Sequence, residues 1–81
     1  MSTVTVLGLG RVGFRTLKLL LELLPQHNFN AVDANPEAKA LVEKLERVSF
    51  YTYSQEVLGR LLKTTDLFVT ALPSSRAFNI L

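Results

Sequence analysis

The chain of 81 residues has no cysteine, no tryptophan, one methionine and one histidine. Without cysteine there is no disulfide, no thiolate metal site and no cysteine nucleophile. With His27 alone there is no histidine cluster, and little from which to build a Ser-His catalytic pair. Charge of one sign is also scarce. Nine basic and seven acidic residues leave +2, too small a field to argue for nucleic acid or an anionic membrane surface, although the pI is near 9.3. The apolar run Leu19–Leu21 is far short of a bilayer span. The opening Met1-Ser2-Thr3 lacks the basic start of a signal peptide, so a soluble, cytoplasmic protein is expected. What remains is a 48% apolar, 20% charged composition, suited to one small domain over residues 1–81 with a single core.

The order of elements is regular. Thr3–Leu7 is short and β-branched and ends at Gly8, as a buried parallel strand does. A helix is predicted from Arg11 to Leu24, stopped by Pro25. Phe29–Val32 reads as a second strand ending at Asp33. Asn35-Pro36 then supplies an N-cap and a first-turn proline for a helix whose inner face is Ala38, Leu41, Val42 and Leu45. Val48–Thr52 is a third strand. Ser54 caps a third helix with Val57, Leu58, Leu61 and Leu62 at helical spacing, and Asp66–Leu72 is a fourth strand. Strict alternation of strand and helix implies parallel strands joined by right-handed crossovers. The expected product is an α/β fold with strands in the order 3-2-1-4, the first half of a doubly wound, Rossmann-type sheet.

Gly8-Leu9-Gly10-Arg11-Val12-Gly13 is G-x-G-x-x-G placed between a predicted strand and a predicted helix. Gly8 permits the tight turn out of the strand. Gly10 lets a pyrophosphate approach the backbone, Gly13 lets the helix pack closely on the sheet, and the helix start offers free N–H groups to phosphate. Asp33 stands 20 residues beyond Gly13, where a carboxylate accepts hydrogen bonds from an adenosine ribose. It repels a 2′-phosphate, and Ala34-Asn35-Pro36 offers no arginine to hold one, so NAD is favoured over NADP. Arg11 is within reach of a phosphate oxygen, or is a solvated arginine.

Other residues carry less. Ser74 and Ser75 have no base at hand and read as helix caps. Tyr51 and Tyr53 read as packing residues more than as an adenine wall. Glu43, Lys44, Glu46 and Arg47 read as a solvated helix face, and His27 as an exposed loop residue. No metal site is indicated.

Three segments resemble the amino-terminal half of the saccharopine dehydrogenase-like family: Val6–Gly13, Asp33–Ala40, and Asp66–Ser74 with its Ala-Leu-Pro turn. The resemblance implies an NAD-binding portion of an oxidoreductase acting on an amino-acid-type substrate. Gly8, Gly10 and Gly13 would meet the pyrophosphate, Asp33 the adenosine ribose, and Ala71, Leu72 and Pro73 the nicotinamide-side ribose, with Leu9, Arg11, Val12, Ala34 and Asn35 also at the cofactor. The family's frequent aspartate after the third strand is replaced here by Tyr51-Thr52-Tyr53-Ser54, and its substrate residues belong to a later domain. Potassium-channel regulatory domains share the first two motifs and imply a non-enzymatic nucleotide sensor instead. Their usual Gly-Asp ending of the third strand is absent here.

Two features imply a partner. Arg76–Leu81 is barely more than one helical turn, too little to hold itself. The first helix carries two apolar faces: Phe14, Leu17, Leu20, Leu21 and Leu24, and then Val12, Thr16, Leu19 and Leu23. The second face expects a missing domain or a second protomer, as in a homodimer.

Overall fold

The computed structural model describes residues 2–70. Its strands are β1 (Thr3–Leu7), β2 (Asn28–Asp33), β3 (Val48–Thr52) and β4 (Leu67–Thr70). Its helices are α1 (Arg11–Leu23), α2 (Lys39–Val42, entered through a 3-10 turn Pro36–Ala38) and α3 (Gln55–Thr64). All four strands are parallel, in the order β3-β2-β1-β4, the Rossmann-like arrangement that the alternation of elements predicts. Two crossovers carry the chain from β1 outward to β3, and the third returns it to the far side of β1. Parallel strands joined through helices favour the right-handed crossover.

The pleat sends alternate residues of β1 to opposite faces. Val4 and Val6 are buried against Phe29 and Ala31 of β2, under Leu17, Phe14, Leu20 and Leu21 of α1, Leu24 just beyond it, and Ala38, Val42 and Leu45 around α2. Thr5 points the other way and is fully buried. Its hydroxyl lies 2.7 Å from that of Thr65, just beyond α3, and accepts from Asn30 Nδ2 at 3.3 Å. The buried hydroxyl is tolerated because it is hydrogen-bonded.

Local signals hold where the chemistry is local. Asn35 Oδ1 accepts from Glu37 N at 3.0 Å with Pro36 behind it, and Ser54 Oγ accepts from Val57 N at 3.1 Å. The second helix is shorter than its sequence pattern suggests. Ala38 and Val42, four residues apart, face the sheet, whereas Leu41 lies about 100° round the axis and is exposed, as is Leu62 on α3.

Two expectations are corrected at the end of the sheet where the strands begin. Arg47 is not on a helical face. It sits at φ 66°, left-handed backbone that turns the chain into β3, and its carbonyl accepts from Phe29 N at 2.8 Å. Its guanidinium donates to the carbonyls of His27 (2.7 Å), Leu21 (3.1 Å) and Leu24 (3.2 Å), capping the carboxyl end of α1. Carbonyls at and just beyond the helix end thus receive a cation, the sign that the helix dipole favours there. His27 is half-buried rather than an exposed loop residue, and its Nδ1 is buried with no hydrogen-bond partner among the described residues.

Candidate functional site

The glycine loop leaves β1 at Gly8, whose φ of 94° lies in the region that disfavours any side chain. Gly8 N donates to Val32 O at 2.8 Å, carrying the β1–β2 ladder one residue into the loop. Leu9 then drops its side chain into the core, and Gly10 forms the N-cap of α1. Phe14 N is the first to bond back within the helix, to Gly10 O at 2.8 Å. The preceding N–H groups, of Arg11, Val12 and Gly13, have no carbonyl of the helix behind them. Gly13 is buried in the helix, while Arg11 and Val12 are exposed.

Gly8 and Gly10 differ in what the chain itself requires. Gly10 has φ −65° and ψ −171°, which any residue adopts, and a Cβ built on it meets nothing within 4 Å among the described residues. Neither torsion nor neighbouring atoms require a glycine at this position. The space over the loop is open where a Cβ would stand, as a group approaching the backbone from outside needs it to be.

Asp33 ends β2 beside the loop. Its Oδ2 accepts from Leu9 N at 2.7 Å and its Oδ1 from Asn35 N at 2.9 Å. The carboxylate therefore braces the turn between the first two glycines and fixes the start of the β2–α2 loop. Each oxygen keeps a second lone pair, so the same carboxylate still accepts hydroxyl donors from outside. The carboxylate is half-buried, and Ala34 and Asn35 next to it are exposed. Sequence reasoning misses both contacts, to Leu9 and to Asn35. The Leu9 bond joins residues 24 apart, and the only hint of a special role for Leu9 is an apolar residue between two glycines.

The location matters as much as the residues. β1 is flanked by β2 on one side and β4 on the other, so strand order reverses beside it. In open α/β sheets such reversals open a crevice outside the carboxyl ends of the strands. The register pairs Leu7 with Thr70, bringing the end of β4 level with the start of the glycine loop. Ala71, Leu72 and Pro73, expected along that crevice, lie outside the described residues, as do Ser74, Ser75 and the helical start Arg76–Leu81.

Tyr51 lies in β3, beside Val32 of β2, and Tyr53 beyond the strand is exposed, with its N–H on Asp33 O at 2.9 Å. Among the described residues no group of three or more His, Cys, Asp or Glu is placed to hold a metal ion, and no helix is long and apolar enough to cross a membrane. Comparison with protein-family models, with curated proteins and with solved structures finds no match to this chain.

Proposed function

We propose that this chain binds an adenine dinucleotide, with NAD preferred over NADP, as the cofactor-holding portion of an oxidoreductase resembling saccharopine dehydrogenase. The observation that carries the reading is Gly10: a glycine that neither its torsion nor the described residues around it require, at the start of a helix, at a strand-order reversal, with a carboxylate braced beside it. The residues fit the group. The N–H groups of the first turn of α1 would receive the pyrophosphate, helped by the positive end of the helix. The free lone pairs of Asp33 would accept from the adenosine ribose, and its charge would repel a 2′-phosphate. Bound there, the cofactor supplies hydride chemistry, while this chain contributes binding and orientation. No acid–base pair stands near the loop among the described residues, and the only histidine is at the opposite end of the sheet, before β2.

The test is a calorimetric titration with NADH, NADPH and ATP, repeated on Asp33→Ala. NADH is expected to bind more tightly than NADPH, and the preference is expected to shrink in the variant. Equal affinity for the two, or a preference unchanged by the substitution, overturns the specificity reading. Tighter binding of ATP than of NADH favours the regulatory-domain alternative.

A further inference from the structure

We infer that α1 is a self-association surface, on which a second copy of this chain docks its own α1 antiparallel. The inference stands on α1 alone and does not depend on nucleotide binding. Val12, Leu19 and Leu23 are 68%, 55% and 63% exposed, on the helix that otherwise buries Leu17 against the sheet. With Thr16 they run at spacings of four, three and four residues. This is the seam of a two-helix coiled coil, with Val12 and Leu19 at d and Thr16 and Leu23 at a. The seam extends over nearly the whole length of α1.

The flanking charges choose the occupant and its direction. In that frame Arg15 and Glu22 both fall at g, seven residues apart and so only about 20° apart round the helix. Both are exposed. Lys18, one turn before Glu22, lies over the Phe14 ring instead, 5.5 Å from its centroid. A two-fold antiparallel pair sets each g position against the g position of the other helix. Arg15 then faces Glu22 of the copy, and Glu22 faces Arg15, giving two opposite-sign pairs from one self-complementary surface. Val12 packs against Leu23 of the copy and Thr16 against Leu19, while the two helix dipoles oppose. One short helix pair covers less than the roughly 800 Å² per partner of a standard interface, so the dimer is weak and concentration-dependent.

Sedimentation equilibrium of the full chain, from low micromolar to millimolar, reads the association directly. A reversible monomer–dimer equilibrium is expected. Arg15→Glu and Glu22→Arg each set like charges in both pairs and should weaken the dimer about tenfold. Mixing the two single variants restores both opposite-sign pairs and should return near-native affinity as a heterodimer. These positions are exposed, so the variants are expected to fold, with far-UV circular dichroism as the check. Leu19→Glu with Leu23→Glu should abolish association. A chain that stays monomeric throughout overturns the proposal and leaves the stripe to some other partner. So does a dimer indifferent to all of these changes, which would place the contact at the edge of β4. Failure of the mixed variants to recover overturns the antiparallel arrangement.

Discussion

Two glycines two residues apart should respond to substitution in opposite ways, and the contrast separates what the fold needs from what a ligand needs. At Gly8, φ is 94°, so Gly8→Ala forces a Cβ into left-handed backbone at a cost of about 1–2 kcal/mol. The Gly8 N–H bond to Val32 O cannot be kept if the turn relaxes, which places the cost toward the upper end. At Gly10 the backbone is ordinary and a Cβ meets nothing within 4 Å among the described residues. Gly10→Ala exchanges a fair N-cap for a poor one, about 0.5–1 kcal/mol. Gly10→Ser places a hydroxyl where it accepts from the first turn of α1, and should leave stability unchanged or raise it by roughly a few tenths of a kcal/mol. Urea unfolding followed by circular dichroism resolves these differences, since a small domain loses about 1 kcal/mol per molar urea. Gly8→Ala should lower the midpoint by more than about 1 M, and Gly10→Ser should not lower it. The same protein samples, titrated with NADH, complete the test. Gly10→Ser should be well folded and lose most of its affinity, because its side chain occupies the approach to the loop. A stable Gly10→Ser that binds as tightly as the native chain refutes the assignment of the open space over Gly10 to a ligand. A Gly10→Ser as unstable as Gly8→Ala refutes the claim that the fold does not need the second glycine.

Further expectations concern the framework and the chemistry. Arg47→Ala removes an exposed guanidinium from three carbonyls around the end of α1 and should cost about 1 kcal/mol. Arg47→Gly loses the same cap but relieves the left-handed backbone, so it should be more stable than Arg47→Ala in thermal melts. The reverse order would show that the φ of 66° carries no strain. Ser54→Ala leaves Val57 N without its acceptor and should lower the melting temperature by several degrees, about 1 kcal/mol in a domain of this size. The isolated chain should catalyse no steady change in NADH absorbance with amino-acid or keto-acid substrates, and a turnover that survives full purification would contradict the binding-module reading.

The sequence by itself determined the elements whose cause lies within a few residues. Short runs of β-branched and aromatic residues bounded by turn residues made the strands, Asn35 and Ser54 capped the helical turns after them, and Gly8 took the torsion that only glycine takes freely. It also determined that the strands are parallel, because strict alternation of strand and helix joins each pair through a crossover; the order 3-2-1-4, expected from the glycine motif after the first strand, is the order the sheet takes. The glycine spacing and Asp33 marked the candidate site for the same reason: each is a short-range feature of a strand end. Tertiary structure decided what depends on residues far apart in the chain. That Asp33 braces Leu9, 24 residues away, follows from the pairing of β2 with β1. That Arg47 caps α1, 20 to 26 residues back, follows from the left-handed turn into β3, which no charge pattern encodes. The exposure of Leu41 was likewise hidden, because a helix ending at Val42 is too short to turn a wide apolar face to the sheet. Both stripes of α1 were legible, with the Leu17 stripe expected against the sheet, and the packing agrees: Leu17 is buried and Leu19 and Leu23 are exposed. Periodicity fixes which residues share a face of a helix, and the burial of one face against the sheet fixes which face remains for a partner.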